Sequence, residues 1–271
     1  MSDLRGEQAM QLSEINIYPV KSCAGISLSA VDIDRFGPVG DRRWMVVGEG
    51  GGFVSQRETP AMALIQVAQT GSGIRLAQGD SSIDIEEPGG NAPVRQVRIW
   101  EDRVAARDAG DEAAAWVSAY LGAACRLVFM PEETVRRVDG AWASAGETVG
   151  FADGFPLLLI SRASLDGLNA RLPEPVPMNR FRPNLVVTGC EPFAEDGWRR
   201  IRIGSMAFDV AKPCARCVVP SIVQETAARD PHINRTLAAF RRRDGQIFFG
   251  QNLLYQDTGS LNLGDAVEVL A

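Results

Sequence analysis

The chain of 271 residues has one histidine, His232, and two lysines, Lys21 and Lys212, among its 28 basic side chains. A single imidazole excludes histidine-rich metal centres and any catalytic scheme that needs two histidines. A lysine kept in so arginine-biased a chain supplies a compact point charge that a planar guanidinium cannot imitate. Positive charge is itself short: 28 basic against 34 acidic residues leave a net charge of −6 and a pI near 5.0. That balance argues against a general nucleic-acid binder, which needs a basic footprint. No apolar run approaches the roughly 20 residues that span a bilayer. The first residues, Met1-Ser2-Asp3-Leu4-Arg5-Gly6-Glu7, lack the basic start and apolar stretch of a signal peptide. Five cysteines are an odd number, and with no export signal they read as reduced thiols of a cytoplasmic protein. The expectation is therefore no membrane and no nucleic-acid partner, with any special cysteine a ligand or nucleophile.

What the sequence has is short apolar segments punctuated by Gly, Pro, Asp and Ser. Strands are predicted over 15–20, 44–47, 63–69, 74–77, 83–86, 94–100, 126–130, 155–160, 185–188, 200–203, 206–211, 218–223, 247–249 and 266–270. In Arg200-Ile201-Arg202-Ile203 the two isoleucines share one face, as in a half-buried strand. Three helices are predicted, over 111–121, over 164–172 with a serine cap, and over 230–243. The last starts at Asp230-Pro231 and ends in three arginines, which suits the helix dipole. Many short strands with frequent turns give a mainly β, α+β fold. The polar, glycine-containing stretch 131–154 is the best boundary, dividing a β-rich domain over 9–130 from a second β-domain over 131–271.

Four clusters carry chemistry. Lys212-Pro213-Cys214-Ala215-Arg216-Cys217 is a Cys-x-x-Cys motif with three readings. Structural zinc needs two further ligands at close spacing, and no second pair exists. A thioredoxin-like pair wants a helix at the motif, whereas Val218-Val219-Pro220 reads as a strand. The third reading is one thiolate working alone, favoured by the cations of Arg216 and Lys212. In Tyr18-Pro19-Val20-Lys21-Ser22-Cys23-Ala24-Gly25, a lysine, a hydroxyl and turn N–H groups follow a strand and suit a phosphate. Gly40-Asp41-Arg42-Arg43-Trp44 and Asn179-Arg180-Phe181-Arg182-Pro183-Asn184 each lead arginine into an apolar strand, where it needs an anionic partner. Strand-edge cations on a negative chain point to a pocket for a polyanionic cofactor.

These motifs occur in one order, together with Thr188-Gly189-Cys190-Glu191-Pro192-Phe193 and Phe249-Gly250-Gln251-Asn252. In that order they resemble the MOSC superfamily, and within it the branch of the mitochondrial amidoxime-reducing component and its bacterial relatives. The resemblance runs from 12 to 270. It implies a MOSC-N β-rich domain followed by a MOSC β-barrel with a few helices, and a molybdenum cofactor with the metal on a single pterin dithiolene. By the same resemblance Cys217 is the catalytic metal ligand, a role that a soft thiolate suits. Lys21, Ser22 and Arg42 match positions that hold phosphate and pterin. Arg182, Asn184, Ala215 and Arg216 match further pterin contacts, as do Asn252 and the loop Asp153-Gly154-Phe155. Ala215 stands where the family often has serine, and Asn252 where the mitochondrial relatives have tyrosine. Cys190 matches a recurrent family cysteine that is not the ligand. The activity implied is reduction of N-hydroxylated compounds such as amidoximes, hydroxylamines and N-hydroxylated bases. With no further cysteines for an iron–sulfur domain, electrons are expected from a separate ferredoxin-, flavodoxin- or cytochrome-type protein. The rival reading is a sulfur carrier or cofactor-maturation protein acting through a cysteine persulfide.

Overall fold

A computed structural model describes residues 9–143 and 146–271. The mainly β class is borne out, with three α-helices among the described residues: α1 (Asp111–Leu121), α2 (Arg162–Asn169) and α3 (His232–Phe240). The largest sheet runs Val267–Val269, Arg200–Ile203, Met206–Ala215, Gln246–Leu254, Leu157–Ser161, Leu185–Thr188, Gln11–Ile17, Ile26–Leu28, with Arg242–Arg243 paired to the Gln246–Leu254 strand. Only Leu157–Ser161 and Leu185–Thr188 run parallel among these pairs. The first strand of the chain thus pairs with one from its second half, Ile15 opposite Leu185.

Continuous apolar runs become strands covered on both faces. Leu157, Leu159, Leu185 and Val187 face one core with Ile15, Ile17, Ile201, Ile203 and Phe208. Their neighbours Ile160 and Val186 face the other, filled by Phe181 and Phe249, by Leu165 and Leu168 of α2, and by Ile233 and Leu237 of α3. In the first half, Trp44–Gly48 pairs with Cys125–Phe129 in a four-stranded sheet completed by Asp102–Asp108 and Val94–Ile99. Trp44 and Val46 point to a core under α1, while Met45 and Val47 point to a second with Val97, Ile99 and Phe151. Among the described residues, no helix is long and apolar enough to cross a membrane.

Four local expectations need correction. Residues 218–223 are not a strand; Val219–Ser221 is one 3-10 turn, closed by Ser221 N–H donating to Val218 O at 2.9 Å. α3 ends at Phe240, before the three arginines, because Arg242–Arg243 must return in a hairpin through Asp244 and Gly245, both at positive φ. α2 begins at Arg162, and its cap is Ser161, whose Oγ accepts from Ser164 N–H at 3.0 Å. The 63–69 strand divides into a 3-10 turn at Pro60–Leu64 and a strand at Gln66–Gln69.

One glycine is required by close approach to the Tyr18 ring. A Cβ at Gly25 would lie 2.5 Å from Tyr18 Cε1. Gly25→Ala is expected to push that ring and cost about 1–3 kcal/mol, read as a lowered urea midpoint. An unchanged midpoint would show that the ring has room to move.

Candidate functional site

Strand ends deliver the predicted residues to one place. Lys21 and Ser22 follow the Gln11–Ile17 strand, and Arg42 precedes Trp44–Gly48. Arg182 and Asn184 precede Leu185–Thr188, and the Cys-x-x-Cys motif closes Met206–Ala215. A single cleft is lined by Lys21, Ser22, Arg42, Asp153, Gly154, Phe155, Arg182, Asn184, Ala215, Arg216, Cys217 and Asn252, so the residues matched to the cofactor come together, whereas Arg43, Arg180, Cys190 and Lys212 of the same motifs lie outside it. The cleft holds about 160 Å³ of enclosed space and opens to solvent.

The back of the cleft is cationic. Both the Arg42 and Arg182 guanidinium carbons lie over the Tyr18 ring, at 4.5 and 4.1 Å. Tyr18 donates its hydroxyl to Pro183 O at 3.1 Å, and burial pushes that phenol up to about 12 despite the two arginines. Arg42 has its anion in Asp41 at 2.6 Å and also donates to Asn184 Oδ1 at 3.2 Å. Arg182 is different. It is buried, donates from Nη1 to Cys23 O at 2.7 Å, and has no carboxylate partner among the described residues. Burial therefore pulls its pKa down to about 10. Ser22, Arg42 and Arg182 all adopt positive φ, at 71°, 46° and 55°. Left-handed backbone costs a non-glycine residue of order 1–2 kcal/mol and collects at ligand-holding sites.

At the front, Lys21 Nζ donates to Phe151 O at 2.8 Å and to Asp153 Oδ1 at 2.5 Å. Burial lowers its pKa to about 8, against the pull of Asp153. Asp153 also takes Arg57 Nη2 at 3.2 Å, so it bridges two cations. Desolvation works against its charge, yet Lys21, and then Arg57 and Arg42, hold its carboxyl well below the usual carboxylate range. Its side chain is 61% exposed at the cleft face, so water screens these pairs. Buried Arg136 holds the backbone of this loop by donating to the carbonyls of Gly150, Ala152 and Asp153.

Of the five cysteines, burial pushes Cys23 up to about 12 and raises Cys125 and Cys190 as well. Cys214 and Cys217 are part-exposed, and both line the cleft. A bulge between Pro213 and Ala215 interrupts the ladder at Cys214. Cys217 Sγ accepts from Val219 N–H at 3.5 Å, and its carbonyl accepts from Asn234 of α3 at 3.1 Å. The expected cationic neighbours do not serve it. Lys212 Nζ lies 4.8 Å over the Trp142 ring, and Arg216 donates to Cys214 Sγ at 3.2 Å and Phe181 O at 2.8 Å. The cation facing Cys217 is Arg57, set over Trp100 at 4.2 Å; burial would lower its pKa, but Asp153 and then Cys217 raise it. Arg57 carried no signal in the sequence: Ser55-Gln56-Arg57-Glu58-Thr59 looks like any solvated turn. Phe53, Ser55 and Gln56, which line the same wall, were missed for the same reason. Asp196 is bound by Arg241 and Gln251 and does not line the cleft.

The donor set fits an anionic group beside a soft metal. Arg57 Nε, Arg182 Nη2 and Arg216 Nε are buried without a hydrogen-bond partner. All three residues line the cleft that carries the Cys217 thiol. An unpaired guanidinium N–H costs about 1–3 kcal/mol when desolvated, so three on one cleft call for an acceptor.

Comparison with known proteins gives the same residues a setting. Residues 9–124 match the model of the MOSC N-terminal beta barrel domain, and residues 146–268 match that of the MOSC domain. The chain is 33% identical to the mouse mitochondrial amidoxime-reducing component 1, over 98% of this chain and 84% of that protein. It is 34% identical to the rat mitochondrial amidoxime reducing component 2, over 96% and 83%. It is 29% identical to a rice molybdenum cofactor sulfurase over 92% of this chain, which spans 33% of that longer protein.

Proposed function

This chain belongs to the MOSC family, and from that premise we propose that it is a cytoplasmic, molybdenum-cofactor-dependent reductase of N-hydroxylated compounds, fed by a separate electron-transfer protein. The observation that carries this reading is the coincidence of three unpartnered buried guanidinium nitrogens with the Cys217 thiol on one cleft. When bound, the cofactor supplies two-electron oxygen-atom chemistry at an N–O bond that no side chain here offers. The chain supplies the rest. Cys217 is the one protein ligand to the metal. Arg182 and Arg42, braced on Tyr18, meet the negative charge of the phosphate and pterin, with Lys21 Nζ and Ser22 completing the phosphate end. Asn184 orients the Arg42 guanidinium while holding two strands, since its Nδ2 donates to Asn16 O and its Oδ1 accepts from Leu158 N–H. Gly154, Phe155, Ala215, Arg216 and Asn252 line the same cleft and would contact the pterin, with Leu158, Phe181 and Val219 adding apolar lining. The MOSC-N part ends at residue 130 in this reading.

The test is metal and pterin content of protein made in a host that synthesises the cofactor, followed by reduction of an aryl amidoxime with reduced methyl viologen. Near-stoichiometric molybdenum with turnover supports the reading; well-folded protein with neither molybdenum nor pterin overturns it. A second reading, persulfide transfer, is favoured by the sulfurase relatives and by Arg216 donating to Cys214 Sγ. It requires cyanolysable sulfur on Cys214 or Cys217 in place of metal.

The Lys21 pKa near 8 gives a pH signature. An anion at Nζ favours the protonated form and raises that pKa, so binding takes up a proton wherever the free lysine is neutral. Pyrophosphate affinity of cofactor-free protein is therefore expected to fall by up to about tenfold per pH unit above about pH 8. Below that pH this contribution is flat. Calorimetry in buffers of different ionisation enthalpy reads the proton uptake, and Lys21→Met removes it. A pH dependence that survives in Lys21→Met assigns the proton to another group.

A further inference from the structure

On a chain of net charge −6, residues 231–243 contain four arginines and no acid. Arg241 is neutralised by Asp196. Arg235, Arg242 and Arg243 are exposed, and none forms an ion pair among the described residues. Two acids flank them: Asp244 in the hairpin turn, and Asp230, which faces buried Arg180 at 3.5 Å and accepts from His232 N–H. Exposed apolar surface accompanies this patch: Phe240 at 36% and, on the neighbouring turn, Val218 at 43%.

The patch is joined to the Cys217 segment by one side-chain and one main-chain hydrogen bond. Asn234, next to Arg235 on α3, donates to Cys217 O at 3.1 Å. Arg216 N–H donates to Ile247 O at 2.7 Å, and Ile247 pairs with Arg242 across the hairpin. Two strand spacings, about 10 Å, therefore separate the Arg242 backbone from that of Arg216, beside Cys217. Val218, exposed directly after Cys217, lies on the turn that packs against α3.

We propose that this α3–hairpin face is the docking surface for an acidic electron-carrier protein. The proposal rests on the reductase reading, which requires such a partner. Charge of opposite sign steers encounter and sets the salt dependence of binding, while a small apolar contact within the charged patch holds the encounter complex. The face uses residues outside the cleft, so cofactor and substrate sites stay free while a carrier is bound.

The test uses loaded protein and three reduced acidic carriers as probes: a flavodoxin, a plant-type ferredoxin and a cytochrome b5. Wild type is expected to bind at least one of them, with affinity falling about tenfold or more between low and physiological salt. The triple variant Arg235→Glu, Arg242→Glu, Arg243→Glu is expected to weaken that binding at least about tenfold and to raise KM for the carrier equally. Its turnover with reduced methyl viologen stays at the wild-type level. The triple Arg→Lys variant keeps charge and keeps binding, which separates electrostatics from misfolding. Unchanged carrier binding in the charge-reversed protein overturns the proposal, as does failure of all three carriers to bind wild type. Tighter binding of a single-stranded oligonucleotide than of any carrier, lost in the same variant, assigns the face to nucleic acid and also overturns it. If loaded wild type fails to turn over with reduced methyl viologen, the reductase reading falls, and the binding titration still decides the surface.

Discussion

Cys217→Ala, made in a host that synthesises the cofactor, is expected to retain its fold and lose turnover completely, with bound molybdenum below about a tenth of wild type. The fold survives because the thiol has little structural work. Its sulfur is part-exposed and takes one long hydrogen bond, from Val219 N–H at 3.5 Å. Losing such a group changes stability by a few tenths of a kcal/mol, about 1–2 °C in Tm for a chain of this size. Removing the one protein ligand removes the bond that fixes the metal, whereas the pterin and phosphate contacts remain. Pterin is therefore expected to fall less than metal, and this split separates a ligand from a residue that merely shapes the cleft. Normal turnover by the variant would sink the assignment of Cys217. The companion variant Cys214→Ala is expected to keep metal and turnover, and persulfide lost from that variant alone would favour the sulfur-transfer reading.

Arg182→Met is expected to do two opposite things. Cofactor-free protein becomes more stable, and cofactor retention falls by at least about a hundredfold. The first effect follows from burial. Arg182 pays desolvation without a carboxylate partner, which is why its pKa sinks to about 10. A guanidinium held down to about 10 carries a cost of about 3 kcal/mol in its charged form. Methionine keeps much of the packing on Tyr18 and forfeits the bond to Cys23 O, at about 1–2 kcal/mol. The net gain is about 1 kcal/mol, or a rise of about 2–4 °C in Tm without cofactor. The second effect follows because a cation held at such cost is repaid only by an anion, and Nη2 has no other acceptor. A variant that loses stability and keeps its cofactor would show Arg182 to be a structural brace of the Cys23 turn. The sign of the stability change decides between the two, since a brace and a ligand cation respond in opposite directions.

The local grammar of this chain was legible before any fold. Apolar runs such as 157–160 and 185–187 are strands because they pack on two faces, and the alternation of 200–203 is a strand because it packs on one. α1 has the bounds predicted, since its stop, Gly122, takes the left-handed conformation that ends a helix. The end of α3 was not legible, because nothing local in Arg241-Arg242-Arg243 shows that two of them must pair in a hairpin with Gln246 and Ile247. The turn at Val219–Ser221 was hidden for a similar reason: β-branched residues favour a strand in isolation, but here Pro220 O is taken by buried Arg180 and the segment packs under α3.

The candidate site divides along the same line. Motif residues stand at strand ends, where side chain and backbone polarity are set by neighbours in sequence, so Lys21, Arg42, Arg182 and Cys217 were each recognisable from a few flanking residues. Which charge meets which was decided only by tertiary structure. Arg57 reaches Cys217 from a distant turn, Asp153 bridges Lys21 and Arg57, and Lys212 goes to Trp142 although it precedes Cys217 by only five positions. Charge pairing depends on distance in space and on burial, and neither quantity is written in the order of residues. The sequence by itself determined which residue types gather at the strand ends and hence the family. The packing of the first strand against Leu185–Thr188, which carries Tyr18 and Lys21 to Arg182, decided that they make one cleft with three donors left over.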